Sequence, residues 1–310
     1  MTTKNELYLS STNGTNKLHL IIWEPAVSPI GILQISHGMI EYIDRYDAFA
    51  KYLNEHGFIV VGNDHLAHGQ TVKCEDELGY FSADDPSSAV VNDLHQVTLY
   101  MKKHYPDLPY FLMGHSMGSF MARRYLMTYG NTLDGAIIMG TGTHNKAALC
   151  TGHAIVNLVS KFKSDTHRSK LLEKLCFGTY NLHTQKRTSK DWLSRDNAVV
   201  DTYLQDPLCR FKFTVNGYRT LFDTLFYIGE PENINRIPTA LPIFMVAGDA
   251  DPVGAYGKGV KSVYKSYKKH GVKDLSLKLY KDARHEILNE IDRELVYADI
   301  YNWLRQHLSH

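Results

Sequence analysis

The sequence predicts an α/β fold: a mostly parallel central sheet with helices on both faces and one helical insertion. Three observations predict it. Short apolar runs alternate with amphipathic helical patterns along the first 143 residues and again after 234. Between these halves the chain is helical in pattern and has no clear strand. Near the centre, a serine flanked by glycines, Gly114-His115-Ser116-Met117-Gly118, joins an apolar run directly to a helical pattern.

The elements follow in order. "ELYLSSTNGTNKLHLIIWEP" reads as two strands around an Asn13-Gly14 turn. "GILQISHG" is a short buried strand. Arg45 to His56 has helical spacing and stops at Gly57, and "FIVVGND" is the next strand. Ser87 to His104 is an amphipathic helix closed by Pro106 and Pro109. "YFLMG" is a strand, Met117 to Tyr129 a helix ending at Gly130, and "DGAIIMGTG" a strand. After the insertion come the strand "LPIFMVAG", a helix from Gly257 to His270, the strand "LSLKLY" and a final helix from Leu288 to Leu308. The expected organisation is a core of 1–143 and 234–310 with an inserted helical lid of 144–233.

Composition narrows the function. The chain has 310 residues, 44% of them hydrophobic, which suffices for a large buried core. Its formal net charge of +1 gives no global field for nucleic acid. The polar "MTTKNELYLS" lacks the apolar centre of a signal peptide, and no apolar run is long enough to span a bilayer. Four scattered cysteines without a C-x-x-C pair fit reduced thiols, so a cytoplasmic location is expected.

The G-x-S-x-G stretch carries the chemistry. A turn this tight leaves no room for side chains at Gly114 and Gly118, and it lifts the Ser116 hydroxyl above the carboxyl ends of the strands. The Met117 N–H, at the helix start, points to the same place and can stabilise an oxyanion. A serine nucleophile needs a base, and the base needs an orienting acid. "PIFMVAGDADPV" offers Asp249 and Asp251 after one strand, and "LYKDARHEIL" offers His285 after the next. The order serine, acid, histidine is the one this fold requires.

Together these residues resemble the α/β-hydrolase superfamily, most closely its monoacylglycerol lipase and lysophospholipase branch, related to serine aminopeptidases. The matching stretches are "ISHGMIEYIDRY", "VVGNDHLAHGQT", "GHSMG", "GDADPV" and "ARHEIL", spread over the whole core. The resemblance implies Asp251, the second aspartate of the G-x-x-D turn, as the acid. It implies the Met39 N–H as the second oxyanion donor. It implies a lid over the serine, and no metal or organic cofactor. His65 and His68 have no third ligand nearby in sequence, so no metal site is expected of them. His115 is expected to be structural, and Glu41 to bond the oxyanion loop or the lid. The chain departs from the family at Ala67-His68-Gly69 and Gln70-Thr71, where glycine and serine are usual. Alanine at 67 implies a backbone angle tolerable to alanine there.

The insertion is basic. Residues 145–230 hold 13 Lys+Arg against 8 Asp+Glu, leaving 21 against 25 in the remainder. Its apolar stripes "HAIVNLVSKF" and "FTVNGYRTLFDTLFYI" either pack on the core or face an acyl chain. The basic residues either form a solvated face or draw in anionic lipid, with transient membrane-surface contact through the lid. The expected activity is hydrolysis of carboxylic esters through an acyl-enzyme, on lysophospholipid or monoacylglycerol. The alternatives are a short-chain or aromatic esterase, a serine aminopeptidase with the same triad, and an inactive hydrolase fold that only binds. The oligomeric state is not legible.

Overall fold

The computed structural model describes residues 3–143 and 145–308; His144, where the expected insertion opens, and the last two residues lie outside that range. Eight strands form one sheet in the order β1-β2-β4-β3-β5-β6-β7-β8. They are β1 (Thr3–Ser10), β2 (Lys17–Glu24), β3 (Gly31–Ser36), β4 (Phe58–Asn63), β5 (Tyr110–His115), β6 (Gly135–Met139), β7 (Ile243–Gly248) and β8 (Leu275–Tyr280). The β1–β2 hairpin and the β2–β4 pair are antiparallel, and every later pair is parallel.

The central strands are buried on both faces, and successive side chains divide between two cores. In β5, Tyr110 and Leu112 join one core while Phe111 and Met113 join the other. Helices α1 (Asp47–Glu55) and α10 (Arg293–Gln306) cover the second core. Helices α2 (Pro86–His104), α3 (Met117–Tyr129) and α9 (Lys258–Lys269) cover the first. Between β6 and β7 the chain forms α4 (Lys146–Phe162), α5 (Lys170–Phe177), α6 (Asn197–Gln205), α7 (Val215–Gly229) and α8 (Pro231–Ile234), with no strand among the described residues.

The two stripes of this segment have different fates. The α7 stripe buries Val215, Tyr218, Leu221, Leu225 and Ile228. In α4 only Leu149 and Val156 are fully buried, while Leu158 and Phe162 are exposed.

Two expectations need correction. The last helix starts at Arg293, not Leu288. The Glu290 carboxylate turns inward to accept the N–H groups of Arg284 and Arg195, which holds 290–292 out of helical geometry. Ala67 does not have a backbone angle that alanine readily tolerates: its φ is 69°, in the left-handed region. The turn requires it, because the Ala67 carbonyl accepts from Gly79 N–H at 2.8 Å while His68 N–H bonds back to the His65 carbonyl at 3.1 Å.

Candidate active site

Parallel strands deliver their carboxyl ends to one edge of the sheet, and the candidate residues gather there. Ser116 follows β5 with φ 54° and ψ −123°, a strained conformation for a residue with a side chain. Its N–H is fixed on the Met139 carbonyl at 3.0 Å. The neighbouring glycines are obligatory. A Cβ at Gly118 would strike the Ser36 and His37 carbonyls, and one at Gly114 would lie 2.6 Å from the Ala122 methyl.

Asp251 follows β7 and His285 follows β8. His285 Nδ1 lies 2.9 Å from Asp251 Oδ2, and both side chains are buried. The other Asp251 oxygen accepts from Val253 N–H at 2.8 Å. Asp249 points elsewhere, with Oδ1 accepting from Asp282 N–H at 2.7 Å. Of the two candidate acids, only Asp251 meets the histidine. Ser116 and His285 line one cavity of about 590 Å³, and Met39 and Met117 line it too. As the first residue of α3, Met117 has an N–H without an intrahelical acceptor. The Met39 N–H has no acceptor among the described residues. A hydroxyl, an imidazole oriented by a carboxylate and two residues with unpaired N–H groups line one cavity, which is the set of groups that acyl transfer requires.

The loop carrying Met39 is heavily braced. Glu41 Oε1 accepts from Gly38 N–H at 2.5 Å, from Tyr46 Oη at 2.9 Å and from His115 Nδ1 at 3.1 Å. Glu41 Oε2 accepts from Arg45 at 2.8 Å, and Arg45 also forks onto Glu286 at 2.9 and 2.7 Å. Burial opposes the charge on Glu41, but His115 and Arg45 outweigh it and hold the carboxyl well below its usual range. Burial likewise opposes protonation of His115, yet the Glu41 hydrogen bond and charge raise its affinity for the proton. His115 Nε2 lies 3.4 Å from the His285 carbonyl, so the ring links the Glu41 carboxylate to the backbone of His285. Glu41 thus bonds the loop that follows β3 through the Gly38 N–H.

His37, His65 and His68 form a buried cluster behind the loop. His37 Nε2 accepts from His65 N–H at 2.9 Å, and His37 Nδ1 donates to the Gly38 carbonyl at 2.8 Å. His68 Nε2 accepts from Ile40 N–H at 3.2 Å while its Nδ1 donates to the Leu66 carbonyl at 2.9 Å. Burial drives all three imidazoles toward the neutral form, His68 down to about 3. The ring nitrogens of His37 and His68 bond backbone groups, whereas His65 Nε2 lies 3.0 Å from Ser36 Oγ and its Nδ1 has no partner among the described residues. Thr71, the departure from the usual serine, donates to the Asp64 carbonyl at 2.7 Å.

The segment between α5 and α6 contributes residues that the sequence did not single out. Trp192 packs on the His285 ring at 5.1 Å between centroids. Its carbonyl accepts from His285 N–H at 3.4 Å, and the Leu193 carbonyl accepts from Glu286 N–H at 2.7 Å. Arg284 donates to the carbonyls of Asp191 and Ser194 at 2.6 and 2.9 Å. Tyr203, on α6, donates to the Ile40 carbonyl at 2.9 Å. The available signal was weak: an aromatic among charged residues, "KDWLSRD", inside an otherwise helical stretch.

This sheet order, with a half-buried serine in a tight turn after β5, is the architecture of the α/β-hydrolases. Residues 27–292 match the family described as serine aminopeptidase, S33, and the chain belongs to that family. It is a hydrolase of the monoglyceride-lipase-like branch. It is similar to the monoacylglycerol lipase of Mycolicibacterium smegmatis, at 25% identity over 93% of this chain and 92% of that one. It is similar to human monoglyceride lipase at 27% identity, over 92% of this chain and 85% of the other. A solved structure of a thermostable carboxyl esterase from Bacillus coagulans, in complex with glycerol, superposes with a TM-score of 0.92, 30% identity and full coverage of both chains.

Proposed function

We propose that this protein is a serine hydrolase that releases fatty acid from monoacylglycerols or lysophospholipids. The observation that carries this reading is the single cavity in which Ser116, His285 and a long apolar lining meet. Ser116 attacks the ester carbonyl. His285 takes the serine proton and returns it to the departing alcohol, and Asp251 orients the imidazole and stabilises its charged form. The N–H groups of Met39 and Met117 hold the oxyanion. Water activated by His285 then frees the acid and restores the serine.

Leu149, Ile155, Leu221, Phe222 and Leu225, from α4 and α7, line the acyl side of the cavity. The share of two lipase relatives and a glycerol-bound esterase among similar proteins supports an acyl glycerol. The aminopeptidase alternative is disfavoured. A free amine needs an available carboxylate, and Glu41 and Glu286 are both committed to Arg45.

Residues 144–233 act as a lid in this reading. Leu158, Phe162, Leu171, Leu175 and Leu182 are exposed on it, Phe162 to 74%. Lys161, Lys163, Lys170 and Lys174 lie among them. Such a surface suits transient contact with an anionic membrane. Among the described residues no helix is long and apolar enough to cross one. A cytoplasmic location belongs to the same proposal, supported by four free cysteines.

The test is fatty-acid release from matched monoacylglycerol, lysophospholipid and short-chain ester, with Ser116→Ala as control. Long-chain esters should lead and the variant should be silent. Activity confined to the short ester would replace the lipase reading with a small-pocket esterase.

A further inference from the structure

Lys190 stands apart from the other basic residues of the insertion. It lines the cavity that contains Ser116 and His285. Its ammonium lies over two aromatic faces, 5.7 Å from the centre of Phe177 and 5.9 Å from that of Trp192. It makes no hydrogen bond or ion pair with any side chain among the described residues, whereas the carboxylates whose charge reaches it are already taken. Glu173 is paired with Lys212 at 2.7 Å, and Glu286 with Arg45 at 2.7 Å. A half-buried ammonium without a paired counter-charge is costly to keep. Burial accordingly weakens its hold on the proton. An anion in the cavity would remove that cost.

Position decides which part of the substrate the anion belongs to. Lys190 sits on the same segment as Trp192, whose ring packs on His285. His285 is the group that protonates the departing alcohol. The α4 and α7 residues of the lining are mostly apolar; Lys190 lies instead over Phe177 and Trp192, and Trp192 packs in a cluster with Tyr180 and Tyr203. We infer that Lys190 is a specificity residue that binds a phosphate carried on the alcohol side of the ester, so that the preferred substrates are lysophospholipids with an anionic head group. This rests on the hydrolase reading above and narrows it. The reaction remains ester hydrolysis: water adds across the acyl–oxygen bond, yielding fatty acid and a glycerol phosphate, and the phosphate ester is untouched.

The experiment compares kcat/KM on two esters with one acyl chain, a lysophosphatidate and the corresponding monoacylglycerol, both below their aggregation limits. Wild type should favour the phosphate ester. Lys190→Met should lower the ratio of the two by about tenfold or more, as loss of a charge-assisted contact does, and Lys190→Arg should restore it to within about threefold. Glycerol 3-phosphate should slow labelling of wild-type protein by an organophosphonate and have no such effect on Lys190→Met. This second readout requires only that the variant label at all. A ratio that does not move in Lys190→Met, or protection by glycerol 3-phosphate that survives the substitution, overturns the inference while leaving the hydrolase reading intact. Hydrolysis of neither ester by wild type overturns both.

Discussion

Tyr203 donates a hydrogen bond to the carbonyl of Ile40 across 163 residues of sequence, at 2.9 Å. Ile40 has φ 60°, a left-handed conformation that a β-branched residue rarely adopts. Its N–H is held by His68 and its carbonyl by Tyr203, so both sides of the strained residue are clamped. The adjacent Met39 N–H is the proposed oxyanion donor. The inserted helices thus reach the loop of the proposed oxyanion donor directly. Tyr203→Phe should cost about 1 kcal/mol of stability and lower kcat by about tenfold with KM moved less than threefold. Equal falls in kcat and thermal midpoint for Tyr203→Phe and a control such as Tyr301→Phe would remove the positioning role.

Glu41 is the hub of the same loop. Glu41→Gln keeps an acceptor for Gly38 N–H but leaves Arg45 and His115 short of a buried counter-charge. Stability should fall by about 3 kcal/mol, and kcat/KM should fall at least tenfold in protein that remains folded. Chemical denaturation and ester kinetics on one preparation check both.

Stability should have a maximum near neutral pH. His37, His65 and His68 are held neutral by burial, so their affinity for protons is lower folded than unfolded. As pH falls below the ordinary histidine value of about 6.5, the unfolded chain gains protons that the native state refuses, and stability is lost. The slope approaches about 4 kcal/mol per pH unit when all three contribute. His19 and His115 act in the opposite sense. For both, burial disfavours the charge, but Asp64 and Glu6 outweigh it at His19 and Glu41 at His115. Their contribution is complete below about 6.5 and is lost as pH rises through their folded values. Thermal midpoints from pH 4.5 to 8.5 should trace a dome that is steeper on the acid side; a flat acid limb would contradict the neutral cluster.

Backbone strain predicts two different outcomes for one kind of substitution. Ala255 has φ 48° and is exposed, so Ala255→Gly should stabilise by about 0.5–1 kcal/mol. Ala67 has φ 69° but is buried, and Ala67→Gly trades relief of strain for a lost methyl contact of about 0.8 kcal/mol. That variant should be close to neutral. Denaturation midpoints of the two distinguish strain from packing.

Much of this was legible in sequence because the fold repeats one rule. The central strands are apolar runs, each candidate residue follows a parallel strand, and parallel strands bring their carboxyl ends together. That rule located Ser116, the turn holding Asp249 and Asp251, and His285. It did not locate Trp192 or Tyr203, because their contacts cross from the insertion to the core and leave no local periodicity. Nor did it reveal the φ of Ala67 or Ile40, which the surrounding hydrogen bonds impose against intrinsic preference. The start of the final helix was displaced for the same reason: Glu290 bonds at long range to Arg284 and Arg195 rather than continuing a turn.

The central claim is that Ser116 is a nucleophile activated by His285 under the control of Asp251. The most direct measurement is the rate and site of labelling by an organophosphonate, read by peptide mass spectrometry. Labelling should fall on Ser116 alone and vanish in Ser116→Ala. It should slow by on the order of 10³ or more in Asp251→Asn, and by less than about tenfold in Asp249→Asn. Label on another residue, or equal rates in the two aspartate variants, would contradict the account.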